Sequence, residues 1–306
     1  MKPKVIFMGT PDFAVPILET LIKLTDVVLV VTQPDKLVGR KKELKFSPIK
    51  ELALKNNIEV YQPTKIRNEM DKVLATQADL IVTCAYGQIL PKEILDHPTI
   101  ASINVHASLL PDLRGGAPIH HAIIDGYDKT GITIMYMDEK MDSGDIISTA
   151  ETKILDTDNV GTLHDRLSLM GSKLLEETLP SIINKTNNRI KQDDSKATFA
   201  KVITRDDEKI DFNKEGKKII NQIRGLNPFP LSYAVINGEE AKIIEASFEE
   251  NINAVPYKVY IEKKRFGIGA KDGIIYIEKI KPFGKKTMNI SDYLNGSQSV
   301  KDWSVK

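Results

Sequence analysis

Two short runs with almost no polar residues, at 4–8 (KVIFM) and 27–32, flank a segment whose apolar residues Ala14, Ile17, Leu18 and Leu21 recur at helical spacing. A run that is apolar at successive positions suits a strand covered on both faces, and a 3.6-residue period suits a helix lying across it. Strand, crossover helix, strand is a βαβ unit, which commits the start of the chain to a parallel sheet. The pattern continues. Residues 59–61, 79–85, 101–105, 131–137 and 146–154 read as further strands. Helices are expected from near Ser47, over 66–75, and over 162–183, the last with Leu163, Leu167, Met170, Leu174 and Leu175 on one face. The expectation is an α/β, mostly parallel sheet with helices on both faces. The turn after the first strand, Gly9-Thr10-Pro11-Asp12-Phe13, has no G-x-G-x-x-G, so a dinucleotide site is poorly supported.

With 306 residues the chain has room for a second unit. From about Lys209 the style changes. A helix at 216–226 leads to Asn227-Pro228-Phe229-Pro230, and short alternating runs follow at 232–236, 241–247, 258–261, 267–269 and 274–280. Asn237-Gly238 and Asp272-Gly273 are hairpin dipeptides, so this half reads as a small β-barrel. The polar stretch with Gln192, Asp193, Asp194, Ser195, Asp206 and Asp207 reads as a linker, dividing the chain into 1–189, a linker at 190–207, and 208–306. Net charge is +1, which excludes a global attraction to nucleic acid. Residues 201–306 nevertheless hold 19 Lys+Arg against 15 Asp+Glu, a surplus of +4 that leaves residues 1–200 near −3. Cys84 is the only cysteine, which excludes an internal disulfide or a cysteine zinc site, and its apolar neighbours make it a small core residue. No apolar run approaches the roughly 18–20 residues of a membrane span. The apolar start at 5–8 is interrupted at once by Gly9 to Asp12, as a strand and its turn rather than a signal peptide, so a cytoplasmic protein with no membrane partner is expected.

The chemistry lies in residues 101–145. Asn104 and His106 are two apart at the end of a strand-like run, so their side chains leave the same side. Asp142 lies in a Met-Asp-Ser-Gly turn after the run at 131–137. If the two strands are parallel neighbours, that turn reaches the crevice beyond their carboxyl ends. An amide, an imidazole and a carboxylate together can stabilise an oxyanion and move a proton. Each also has a plainer reading: a hydrogen-bonded strand-end histidine, a turn or cap asparagine, and an Asx turn helped by Ser143 and Gly144. Residues 33–48 (QPDKLVGRKKELKFSP) set Arg40, Lys41, Lys42 and Lys45 against Glu43, and the 14 residues between Thr32 and Ser47 exceed the usual βα connection. They read either as a functional loop or as a solvated charge run.

Three stretches carry a resemblance: Asn104-Val105-His106-Ala107-Ser108-Leu109-Leu110-Pro111, then Arg114-Gly115-Gly116-Ala117-Pro118, then Met141-Asp142-Ser143-Gly144-Asp145. Together they resemble the signature of the 10-formyltetrahydrofolate-dependent formyltransferases, in which the Asn and His of N-x-H and an Asp 36 residues after the His are catalytic. The spacing from His106 to Asp142 is the same 36. The resemblance implies a Rossmann-like formyltransferase sheet followed by an OB-like barrel, with Asn104, His106 and Asp142 as catalytic groups and no metal. It implies that 10-formyltetrahydrofolate is the donor. Its contacts would be backbone groups of Gln88 and Leu90, the apolar surface of Ile89, and Ser108, Leu109, Leu110 and Pro111. Members that act on tRNA carry a basic insertion at 33–48 which enters the acceptor stem, so Arg40, Lys41, Lys42 and Lys45 would contact tRNA. The family form has Gly-Arg-Gly before its lysines; here Gly39-Arg40 is followed by Lys41, so the second glycine is absent. The implied reaction is formyl transfer to the α-amino group of methionyl initiator tRNA by a monomer. Members acting on glycinamide ribonucleotide share the three groups but lack a second domain. Those acting on UDP-amino-sugars share both but differ at 33–48. A formyltetrahydrofolate hydrolase, or a folate- or RNA-binding module without catalysis, is the reading from another class.

Overall fold

The computed structural model describes residues 2–38, 43–297 and 302–306. Its contacts divide the chain into two units, one of Met1–Pro118, Lys129–Lys153 and His164–Lys201, the other of Ile119–Asp128, Ile154–Leu163 and Val202–Lys306.

The strands of the first unit are β1 (Lys4–Gly9), β2 (Asp26–Val31), β3 (Lys36–Val38), β4 (Glu43–Lys45), β5 (Val60–Tyr61), β6 (Leu80–Cys84), β7 (Ala101–His106), β8 (Arg114–Gly115), β9 (Lys129–Tyr136), β10 (Ile146–Lys153) and β11 (Phe199–Ala200). Seven form one sheet in the order β10-β9-β7-β6-β1-β2-β5. From β7 through β6, β1 and β2 to β5 every pairing is parallel. Val5, Ile6, Phe7 and Met8 of β1 and Leu80, Ile81 and Val82 of β6 are fully buried, which is why both read as unbroken apolar runs. Each such side chain withdrawn from water favours folding by about 1.5–3 kcal/mol.

Helices α1 (Val15–Leu24), α2 (Pro48–Lys55), α3 (Asp71–Ala75), α4 (Lys92–Leu95), α5 (Pro118–Ile124) and α6 (Val160–Ile183) connect these strands. Ile17, Leu18 and Leu21 of α1 are fully buried. Ser47 starts α2, its hydroxyl accepting from the Lys50 N–H at 3.1 Å with Pro48 at the first helical position.

Three expectations change here. The helix expected over 66–75 is a 3₁₀ turn, Ile66–Asn68, and the separate α3. Between them Glu69 has φ −134° and ψ 56°, outside the helical region, and its carboxylate accepts from the Lys65 N–H at 3.0 Å. The segment expected as a long loop after β2 contains β3 and β4, paired antiparallel with Lys36 opposite Lys45 and Leu37 opposite Leu44. Most consequential for the site, β7 and β9 are neighbours but run antiparallel, and β10 is antiparallel to β9.

In the second unit, helices α7 (Arg205–Glu208), α8 (Gly216–Gly225) and α9 (Ile290–Asn295) accompany β12 (Ser232–Ile236), β13 (Glu239–Glu250), β14 (Val259–Glu262), β15 (Arg265–Gly269), β16 (Gly273–Pro282) and β17 (Met288–Asn289). These strands form an antiparallel sheet in the order β12-β13-β16-β15-β14, with β17 on β16. Asn237 and Gly238, at φ 52° and 82°, make the two-residue turn between β12 and β13 that their dipeptide signals. Phe212, Ile219, Ala234, Ile243, Phe266, Ile268, Ile275 and Ile280, all fully buried, form this unit's core. No helix of the described residues is long and apolar enough to cross a membrane.

Candidate active site

The antiparallel course of β9 places Tyr136 opposite Ile103, near the start of β7 rather than beyond its end. A turn continuing outward from there would leave His106 behind. Residues 137–145 instead fold back, and the Asp142 carboxylate comes to both strand residues. Its Oδ1 lies 3.7 Å from His106 Nδ1 and accepts from Asn104 Nδ2 at 3.5 Å. The predicted three groups therefore converge, by a path the sequence reading did not foresee.

Each is held by further contacts. Thr83 of β6 donates its hydroxyl to Asn104 Oδ1 at 2.8 Å, which fixes the amide so that Nδ2 faces Asp142. His106 is 6% exposed, and its Nε2 is 3.1 Å from the Leu113 carbonyl. A carbonyl can only accept, so Nε2 carries a hydrogen and Nδ1 is left to face the carboxylate. Asp142 Oδ2 accepts from the Gly115 N–H at 2.9 Å. The backbone of Asp142 is left-handed, at φ 50°, a conformation that Asp tolerates better than most residues. Gly115, at φ 122°, pairs through β8 with β11, and a Cβ there would lie 2.6 Å from the Ala200 carbonyl oxygen.

The expected folate contacts occupy two loops. In the first, Ala85 and Gly87 have positive φ, 48° and 84°. The Gln88 side chain is engaged within the fold: Oε1 accepts from Ile66 N–H at 2.8 Å, and Nε2 donates to Thr64 O and Gln33 Oε1, both at 3.3 Å. Ile89 is 57% exposed and Leu90 is buried, so an apolar surface is available at Ile89. In the second, Ser108 is fully buried with its hydroxyl donating to Asp112 O at 2.6 Å. Thr133 of β9 donates to Ser108 O at 2.7 Å and accepts from Leu110 N–H at 3.1 Å, while Leu109 and Pro111 are half-buried. A concavity of about 190 Å³ is lined by Lys92, Leu95, Ser102, Met137, Glu139 and Arg189 among others, and by none of the expected site residues.

Of the expected tRNA contacts, Lys45 is exposed on β4, whereas Arg40, Lys41 and Lys42 lie outside the described residues. Among the described residues no group of three His, Cys, Asp or Glu side chains is arranged to hold a metal ion. Burial pushes the Cys84 thiol well above its ordinary range, as expected of a core residue. Sequence reasoning missed Thr83, Leu113, Arg114 and Gln192. The last two meet beneath the Asp142 turn, where Gln192 Nε2 donates to the Asp142 and Gly144 carbonyls and Gln192 Oε1 accepts from Arg114.

A parallel-centred sheet with an amide, an imidazole and a carboxylate converging on one point defines a class. The family described as formyl transferase matches residues 1–179, and its C-terminal domain matches residues 202–298. The chain belongs to the formyl transferases. Over 299 residues it is 50% identical to the methionyl-tRNA formyltransferase of Staphylococcus epidermidis, covering 96% of each chain. Over 302 residues it is 49% identical to the enzyme of the same name from Staphylococcus aureus, covering 97% of each. Among solved structures, WlaRD, a sugar 3N-formyl transferase crystallised with dTDP and 5-N-formyl-THF, has a TM-score of 0.70 at 22% identity, with 94% of this chain and 100% of that chain covered. The N-formyltransferase of Helicobacter canadensis, in complex with folinic acid and dTDP-3-aminofucose, has a TM-score of 0.69 at 21% identity, with 92% and 100% covered. At those identities the likeness is one of fold.

Proposed function

We propose that the chain transfers the formyl group of 10-formyltetrahydrofolate to the α-amino group of methionyl initiator tRNA, giving N-formylmethionyl-tRNA. The observation that carries this reading is the 50% identity, over 96% of the chain, to relatives named for that activity. The convergence of Asn104, His106 and Asp142 supplies the chemistry.

An α-amino group has a pKa of roughly 7.7–8.0, lower beside an ester, and is partly neutral at pH 7. It can attack the formyl carbon without a strong base. The costly event is charge developing on the formyl oxygen. Asn104 Nδ2, its partner oxygen committed to Thr83, is the proposed donor to that oxygen, while His106 is the proposed proton carrier beside Asp142. Preorganised donors of this kind are worth about 3–4 kcal/mol each. Asp142, facing His106 Nδ1, orients the ring and helps carry the proton from the attacking amine to the folate nitrogen as the carbon–nitrogen bond of the donor breaks. Gln88, Ile89 and Leu90, with Ser108, Leu109, Leu110 and Pro111, are the proposed folate contacts. For Gln88 and Ser108 these would be backbone contacts, because both side chains are already hydrogen-bonded. Arg40, Lys41, Lys42 and Lys45 are the proposed tRNA contacts. On this reading the protein works as a monomer in the cytoplasm.

The test is an acceptor assay with 10-formyltetrahydrofolate and either methionyl initiator tRNA or a UDP-amino-sugar. Formylation of the charged tRNA is expected. Formylation of the sugar, or hydrolysis of the donor, with no product on tRNA overturns the reading.

A further inference from the structure

The stretch around Gln192 has the composition of a linker, yet it is built into the floor of the site. We infer that Gln192, held by Arg114, is the positioning residue that sets the Asp142 carboxylate; this rests on the roles proposed above for Asn104, His106 and Asp142.

Gln192 is 7% exposed, and all four hydrogen-bonding positions of its amide are used. Oε1 accepts from Arg114 Nε at 3.1 Å and Nη2 at 2.7 Å. Nε2 donates to the Asp142 carbonyl at 2.9 Å and the Gly144 carbonyl at 2.7 Å. A guanidinium only donates and a carbonyl only accepts, so the amide fits one way round. Both carbonyls belong to the turn that carries the carboxylate. That turn is tight: Asp142 is at φ 50°, and a Cβ on Gly144 would lie 1.9 Å from the Tyr136 carbonyl oxygen. A backbone in that state persists when its surroundings over-determine it, and Gln192 supplies two of the holding bonds.

Arg114 closes the circuit. It is 5% exposed, and its Nη2 also pairs with Asp194 at 2.8 Å. The residue before it, Leu113, gives the carbonyl that holds His106 Nε2, and the residue after it, Gly115, gives the N–H that holds Asp142 Oδ2. Its own side chain holds the amide that holds the Asp142 backbone. Gln192 therefore reaches the site through the placement of the turn and not through the reacting atoms. An amide that merely packed would cost stability when lost, but its loss would show no coupling to Asp142.

The test uses the full chain. Gln192→Met keeps the side chain's length and removes its four hydrogen bonds. It is expected to lower kcat about 10- to 100-fold, the order expected of a misplaced catalytic group, with KM for both substrates within about threefold. In an Asp142→Asn background the same substitution is expected to lower kcat less than about twofold, because the group it positions is gone. Gln192→Glu keeps the partner for Arg114 and sets an oxygen against the two carbonyls, so it follows the same pattern should the Met variant not fold. Wild-type kcat, or an equal loss in both backgrounds, overturns the inference. A second readout needs no acceptor. The ¹⁵N shifts of the His106 ring, identified among the chain's 5 histidines by His106→Ala, should move in the Gln192 variant toward those of Asp142→Asn. An unmoved ring signal in a folded Gln192 variant overturns the positioning role whatever the acceptor is. A moved signal in a protein inert toward charged tRNA overturns the acceptor and leaves the positioning role standing.

Discussion

Asp142 divides its two carboxylate oxygens between structure and chemistry. Oδ2 is taken by the Gly115 N–H at 2.9 Å, whereas Oδ1 faces His106 Nδ1 at 3.7 Å and Asn104 Nδ2 at 3.5 Å. Asp142→Asn keeps the size of the side chain and its tolerance of positive φ; with its oxygen kept on the Gly115 N–H, it removes both the charge and the acceptor that faces Asn104 and His106. It and His106→Ala are each expected to lower turnover by about 10²–10⁴-fold in protein that still folds, because the main loss falls on the transition state, although removing the buried His106 ring also costs some stability. Steady-state kinetics beside a thermal melt check this, and wild-type turnover in either folded variant removes that residue from the proposed set. Taken singly, each residue had a plainer reading; at this scale the convergence of the three side chains was legible through the resemblance, whose pattern is an N-x-H on a strand end and an Asp 36 residues on. Their holders were not. Thr83, Leu113 and Gln192 act through a hydroxyl, a carbonyl and an amide whose partners are 21, 7 and 50 residues away. No local pattern marks such contacts, because folding alone brings the partners together.

Elements were legible wherever one face or both are buried, as in β1, β2 and β6. Strand direction was not, since an apolar run reads alike both ways. The expected reach of the Asp142 turn assumed parallel neighbours, and β9 pairs with β7 antiparallel. Residues Ile119–Asp128 belong to the second unit, where a Cβ on Gly225 would lie 2.5 Å from Ile124 Cγ1. The polar composition around 190–207 suggested one linker, and its first part is ordered by contacts composition cannot reveal. Ile190 exchanges backbone hydrogen bonds with Ile146 at 2.8 and 2.9 Å, and Phe199–Ala200 pairs with Arg114–Gly115. Residues 201–204 have no such ladder, and Val202 is 69% exposed. Limited trypsin digestion of the full chain should therefore cut first after Lys201, since a protease needs locally open backbone. Mass spectrometry of the first fragments decides the point, and a first cut after Lys191 or Lys196 would mean that residues 190–200 open more readily than residues 201–204.

For the whole molecule, the electrostatic question is how a chain of net charge +1 attracts a polyanion. Attraction must come from local clusters, and two are on record: the +4 surplus of residues 201–306 and the basic segment after β2. Antiparallel pairing of β3 with β4 sets Lys36 opposite Lys45, which adds a second cation beside the exposed Lys45. Like charges directly opposed across a strand pair cost some stability, and a phosphate bound between them would offset that cost. Arg40 differs in kind from the lysines beside it, because a guanidinium can grip a phosphate with two hydrogen bonds or stack on a base. If this segment recognises the acceptor stem, Arg40→Ala should lower kcat/KM for methionyl initiator tRNA at least about 10-fold, while KM for the folate stays within about twofold. Replacing Lys45 with Ala should act more weakly and chiefly by reducing the salt slope of tRNA binding by about one, as the loss of a single phosphate contact does. A solvated charge run predicts the reverse: neither substrate affected, and stability changed by no more than about 0.5 kcal/mol. Kinetics with tRNA varied at saturating folate, repeated at two salt concentrations, separate these outcomes. An unaltered kcat/KM for tRNA in Arg40→Ala would leave the segment without a recognition role and move the search for the tRNA contact to the positive surplus of the second unit.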